Sequence, residues 1–207
     1  MGSSPSYLDP VVLPRIVGPT ILDAGCGIGR WGHLIEANYW EAGLDEPPLV
    51  DGFDAFEENV ERCRGFDCYR HVWHHMLPAT LEGEWDTVLA SELIEHIPPE
   101  STTEVLDILE GAARRRIIIT TPNWHYLRAA PDTPRDTNPF EAHLTSVSRK
   151  TLARRGYRVR SVGIRYRPSR VGAALRRLRL AGPLESLPRA LPPLGDLIVA
   201  VKDKAPP

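Results

Sequence analysis

The sequence predicts an α/β fold in which a largely parallel sheet is covered by helices. Three observations predict it. Short apolar runs recur along the chain, helix-like segments separate them, and a glycine-rich turn follows the first run. With 207 residues, 42% of them hydrophobic and 25% charged, the chain suffices for a globular domain with a full core.

The elements follow in order. Residues 1–19 form a lead-in. Residues 20–23 (Thr20-Ile21-Leu22-Asp23) are a first strand, and residues 31–38 the helix after it. A second strand spans 49–54, with a helix over 56–64, and 69–74 is a third strand. The fourth strand is 85–91. In the helix expected over 101–114, Val105, Leu106, Ile108 and Leu109 share one face, and Ser101 with Glu104 is expected to form a capping box. Residues 116–120, running into Pro122, are expected to form a fifth, fully buried strand. Residues 123–147 hold Pro131, Pro134 and Pro139 in a loop too long for a mere connector, the kind that walls a site. A short helix at 148–156 stops at glycine, a strand follows at 157–165, and an Arg/Pro-rich insertion occupies 168–193 before a last strand at 196–202. No repeat or linker divides the chain, so residues 1–207 read as a single domain.

The apolar runs, such as Leu197-Ile198-Val199-Ala200-Val201, fall far short of the roughly 20 residues a membrane span needs. The first residues lack the pattern of a signal peptide, and three cysteines cannot all pair, so a cytoplasmic, reducing setting is expected. The net charge of −2 conceals a polarity: residues 1–113 carry −16 and residues 114–207 carry +14. Arginines scattered at helical spacing without interleaved aromatics point to two halves attracting each other more than to a nucleic-acid face.

In Ile21-Leu22-Asp23-Ala24-Gly25-Cys26-Gly27-Ile28-Gly29, alternating glycines lie between a strand and a helix, where backbone can approach a ligand and helix N–H groups face it. Gly27 to Gly32 also satisfies the dinucleotide pattern G-x-G-x-x-G. Asp23 argues against a pyrophosphate there, because a carboxylate repels it and attracts a cationic ligand. Asp54, ending the second strand, can accept both hydroxyls of a ribose. Asp45 is a rival acid, but Pro47-Pro48 immediately follow it and mark it as loop.

The window from Asp23 to Gly29, with Trp85-Asp86-Thr87-Val88-Leu89-Ala90-Ser91-Glu92-Leu93-Ile94-Glu95-His96-Ile97 and Ile117-Ile118-Ile119-Thr120-Thr121-Pro122-Asn123, resembles the class I methyltransferases that use S-adenosylmethionine. Asn138-Pro139-Phe140-Glu141-Ala142-His143-Leu144 is similar to the substrate-side segment of the ubiquinone-biosynthesis-like branch. The resemblance implies a Rossmann-like, seven-stranded, mostly parallel sheet with helices on both faces and the last strand antiparallel. It implies S-adenosylmethionine as cofactor, held by Asp23, Gly25, Cys26, Gly27, Gly29, Asp54, Ala55, His74, His75, Met76, Ser91 and Glu92. The family's usual aspartate after the third strand is absent. Trp73-His74-His75-Met76 stands there, so backbone or an imidazole must meet the adenine amino group.

His143, with Glu141 two residues before it to orient the ring, is the expected acid–base or acceptor-orienting group. His96 is a second; it shares a helical face with Glu92, while Glu95 is expected to point elsewhere. Trp124, His125 and Tyr126 could stack on a planar acceptor. Cys63, Cys68, His71, His74 and His75 lie close in sequence, but their spacing is no strong zinc pattern, and no metal is expected. The resulting expectation is methyl transfer to an oxygen or nitrogen of a small molecule by a monomer or homodimer without membrane partners. The alternatives are an RNA or protein methyltransferase using the C-terminal arginines, and a non-catalytic cofactor-binding or assembly subunit.

Overall fold

The computed structural model describes residues 4–43, 45–123, 138–163 and 195–205. Seven strands form a single sheet: β1 (Thr20–Ala24), β2 (Leu49–Asp54), β3 (His71–His74), β4 (Trp85–Ser91), β5 (Ala113–Pro122), β6 (Arg158–Val162) and β7 (Leu197–Asp203). Their order is β3-β2-β1-β4-β5-β7-β6. The pairs among β1 to β5 are parallel, and β7 runs antiparallel to both its neighbours. The helices are α1 (Asp9–Val12), α2 (Arg30–Glu41), α3 (Glu57–Arg64), α4 (Thr102–Ala112) and α5 (Arg149–Arg154).

Alternation along the strands builds two cores. Leu22, Val88, Ile117, Ile119 and Ile198 face α4 and α5, packing on Val105, Leu106, Leu109 and Leu152. Their sequence neighbours Ile21, Leu89, Ile118 and Val199 face the other way, onto Leu8, Val12, Trp31 and Ile35 of the lead-in and α2. Strands buried on both faces read as unbroken apolar runs, as Ile117-Ile118-Ile119 does. The lead-in is thus no tail: Leu8 and Val12 are fully buried.

Several boundaries move. α2 extends from the expected 31–38 to Arg30–Glu41. β5 starts at Ala113 and carries Arg114 and Arg115 exposed on its first residues. α4 has no capping box. Ser101 precedes it, but its side chain makes no capping hydrogen bond. Its backbone is helical (φ −94°, ψ −8°) because the turn Pro99–Ser101 already winds, whereas a capping hydroxyl needs an extended residue. Thr102 Oγ1 donates to the Pro98 carbonyl instead, at 3.1 Å. The insertion at 168–193, the end of the strand expected to reach 165, and Trp124, His125 and Tyr126 lie outside the described residues.

The charge polarity is used inside the molecule. Arg155 pairs with Asp107 and Glu110, Lys202 with Glu110, and Arg114 with Glu84, each joining the basic half to the acidic one. No helix among the described residues is long and apolar enough to cross a membrane.

Candidate functional site

Chain order reverses around β1: the connection to β2 leaves one way, and β4 returns on the other side. Such a switch point opens a crevice at the carboxyl ends of the strands. A cavity of about 860 Å³ occupies it, lined by the glycine turn, the ends of β2 and β4, residues 75–78 and the segment 138–144. Ser4 and Pro5 of the lead-in lie across it, and Ser4 Oγ is 2.9 Å from Ser91 Oγ.

The glycine turn is held from below. Gly25, Gly27 and Gly29 all have positive φ, at +72°, +56° and +82°. A Cβ at Gly27 would meet nothing within 4 Å, so it would project into the cavity. At Gly29 it would strike Phe66 at 2.8 Å, so that glycine serves packing beside α2 and does not line the cavity.

Asp54 Oδ2 accepts from the Gly27 amide at 2.8 Å and Oδ1 from the Phe56 amide at 2.9 Å. Its carboxylate therefore ties β2 to the glycine turn while lining the cavity. Asp45 is an exposed loop residue.

Three residues expected at the cofactor lie outside the cavity lining. Gly29 is one. Asp23 is buried beneath the turn, where Tyr69 donates its hydroxyl to Oδ2 at 2.6 Å. Tyr69 Oη also accepts from the Gly32 amide at 3.2 Å, so the pair braces the start of α2. Burial pushes the Asp23 carboxyl up to about 7 against the Tyr69 hydrogen bond. His74 turns its Nε2 to the Ala55 carbonyl at 3.0 Å and is outside the lining. Gly25, Cys26, Gly27, Asp54, Ala55, His75, Met76, Ser91 and Glu92 do line it. In His75, Nε2 lies 3.1 Å from the Ala79 carbonyl; a carbonyl only accepts, so Nε2 holds the proton, and in the neutral ring Nδ1 carries the lone pair.

The opposite end is built by the turn leaving β4. Glu92 has φ +55°, rare outside glycine. Thr120 Oγ1 donates to its Oε1 at 2.9 Å. Burial pushes the Glu92 carboxyl up to about 7, and burial beside Glu92 lifts Glu95 well above the usual carboxylate range. Glu95 does not point away. It lines the same cavity, and its Oε2 accepts from Thr121 at 3.0 Å.

The segment 138–145 is zipped to this turn. Leu144 and Thr145 amides donate to the Glu95 carbonyl at 2.7 and 3.0 Å, and His96 Nδ1 donates to the Ala142 carbonyl at 2.9 Å. His143 thereby meets His96, their rings perpendicular with centroids 5.0 Å apart, and Glu141 lines the cavity beside them. Sequence reading missed this juxtaposition and the Asp23–Tyr69 brace. The partners are 46 to 47 residues apart, and no local pattern links them. In the Cys63–His75 stretch, Cys63 and Cys68 are buried thiols, and Cys63 Sγ turns to the Gly27 carbonyl.

A methyltransferase-domain family matches residues 7–159, three-quarters of the chain. The chain belongs to this family. No characterised protein matches the methyltransferase by sequence. Similar solved structures cover nearly all of it. Magnesium protoporphyrin IX methyltransferase from Synechocystis, with bound SAH, shares 18% identity at a TM-score of 0.55, over 95% of this chain and 82% of that one. A SAM-dependent methyltransferase from Archaeoglobus fulgidus shares 20% at 0.54, over 95% and 94%. A DhpI–SAM–HEP complex shares 15% at 0.58, over 96% and 86%. At these identities the likeness establishes the fold: the seven-stranded, Rossmann-like sheet of a class I methyltransferase, with the last strand antiparallel as expected.

Proposed function

We propose that this methyltransferase transfers the methyl group of S-adenosylmethionine to an oxygen or nitrogen of a small molecule. The observation that carries the reading is the continuous cavity, with a glycine cradle and ribose-type acid at one end and an imidazole wall at the other. The open space above Gly27 fits the cofactor, since any side chain there would fill it. Bound there, S-adenosylmethionine supplies an electrophilic methyl on a cationic sulfur.

The chain's own residues bind and align. Gly25, Cys26 and Gly27 offer backbone to the cofactor. Asp54, whose Oδ1 already accepts from the Phe56 amide and Asn59 Nδ2 and whose Oδ2 keeps a second acceptor site, takes the ribose diol. His75, Met76 and Leu77 wall the base, with the His75 Nδ1 lone pair in place of the family's aspartate. Ser91 and the Glu92 carboxyl face the amino-acid end. His96, His143 and Glu141 orient the acceptor, and alignment of two held reactants can supply most of the rate. A cavity of about 860 Å³, partly roofed by Ser4, Pro5 and residues 138–144, suits a small molecule. Magnesium protoporphyrin IX, the acceptor named for one similar structure, is of that class. Arg114, Arg155 and Lys202 of the basic half pair with the acidic half, which supports a structural use of these cations over a macromolecular acceptor face.

Calorimetric titration with S-adenosylmethionine tests it. The wild type should bind one equivalent, and Gly27→Val should bind none while keeping its circular dichroism. Wild-type affinity in Gly27→Val would overturn the site, and binding of NAD in preference would overturn the cofactor.

A further inference from the structure

We propose that the acceptor end of the cavity is a divalent-cation site formed by Glu95, His96 and His143, which holds acceptors bearing two adjacent oxygens. This rests on the reading of that end as the acceptor wall. One ligand atom from each residue lies within 4.8 Å of the others, Glu95 buried and the two imidazoles half-buried. Bonds of about 2.0–2.2 Å to zinc-type ions place neighbouring ligands roughly 3–3.5 Å apart, so side-chain rotations of the order of 1 Å close the set.

Glu95 supplies the second observation. It is 1% exposed, and while Oε2 takes the Thr121 hydroxyl, Oε1 is buried with no hydrogen-bond partner among the described residues. A buried carboxylate oxygen left so costs free energy that a cation recovers.

The imidazole of His96 is arranged as a metal ligand's would be. Donation from Nδ1 to the Ala142 carbonyl fixes the neutral tautomer and puts its lone pair on Nε2. His143 sits on the strip whose Leu144 and Thr145 amides bind the Glu95 carbonyl, so the ligands stand on two segments already joined.

Charge points the same way. Glu141, Asp54 and Asp196 line the cavity beside the buried carboxyls of Glu92 and Glu95, whereas its lysine or arginine, among the described residues, is Arg30, paired to Asp9 at 2.5 Å. Two imidazoles and a carboxylate lining the cavity suit a first-row transition ion, whose remaining coordination positions acceptor oxygens could take.

The test uses the full chain without cofactor. Manganese binding is counted by the loss of the free-ion paramagnetic resonance signal, and zinc binding by calorimetry. One equivalent should bind to the wild type. Affinity should fall ten-fold or more in His143→Ala and in Glu95→Gln, and His33→Ala, at the separate His33–Glu36–Cys68 cluster, should match the wild type. Because Glu95→Gln removes a buried group, its fold is checked by circular dichroism, and His143→Ala decides if it unfolds. Absence of a stoichiometric ion in the wild type, or undiminished binding in His143→Ala, overturns the proposal. S-adenosylmethionine titrated into the same samples separates the two readings. Ion binding without cofactor binding defeats the proposed function alone, and the reverse defeats only the cation site.

Discussion

The Asp54 carboxylate accepts from the Gly27 and Phe56 amides while facing the cavity, so the acid meant for a ribose also fixes the turn meant for the rest of the cofactor. An alanine there would confound the two roles. Asp54→Asn keeps the volume and one acceptor oxygen, so one of the Gly27 and Phe56 amide bonds survives while the other and the charge-assisted bonds to the ribose are lost. Such bonds are worth about 1.5–3 kcal/mol, so affinity for S-adenosylmethionine should drop by about ten-fold or more, and Asp45→Asn should leave it unchanged. Calorimetry on both variants checks this, and wild-type affinity in Asp54→Asn would remove it from the site. Asp23 teaches the opposite lesson. Its place in the glycine motif was legible, but its direction was not. A residue's face at a strand end depends on what packs behind it, and Tyr69 comes from a loop 46 residues away.

At the scale of elements, the sequence read best where burial alone decides. The range 85–91 was legible to the residue, because an apolar run bounded by charged and turn residues has one reading as a strand. The start of β5 was read three residues late because Arg114 and Arg115 project at a break in register between the Trp85–Ala113 and Thr87–Arg116 pairs, where apolarity also stops. The proposed acceptor wall could be drawn from the sequence as a list of residues and not as an arrangement. His143 and His96 were both singled out, but their meeting depends on backbone hydrogen bonds that carry no side-chain signature. Those bonds can be tested without touching an imidazole. Leu144→Pro deletes the amide that donates to the Glu95 carbonyl at 2.7 Å, on an exposed residue where little packing is lost. Turnover should fall by on the order of ten-fold, since a misplacement of about 1 Å at a site can cost more than that, while cofactor affinity should hold. Unchanged turnover would mean that the strip does not position the acceptor.

Across the whole molecule, the pairs between the two charged halves converge most densely on one carboxylate. Glu110, at the end of α4, accepts from Arg155 Nε at 2.9 Å and Tyr157 Oη at 3.1 Å through Oε1, and from Lys202 Nζ at 2.6 Å through Oε2. Its backbone carbonyl accepts from Lys204 at 2.9 Å. One residue thus joins α4, α5, β6 and β7, the elements that close the antiparallel edge of the sheet. Burial alone would push its carboxyl up, but the hydrogen bonds and charges of Arg155 and Lys202 outweigh that and hold it below its ordinary 4.5. A carboxyl lowered by folding stabilises the native state above its unfolded pKa, and that stability fades as pH falls through the lowered value. Glu110→Gln keeps one acceptor oxygen and loses the charge, so near neutral pH it should cost about 2 kcal/mol, or roughly 4–8 °C in melting temperature. In strong acid the wild-type carboxyl is protonated and as neutral as the amide, so the two melting curves should converge. Melting both proteins from pH 7 downward decides the matter: a gap that stays constant into acid would show that Glu110 acts through its shape, and that the opposed charges of the two halves contribute nothing at this junction.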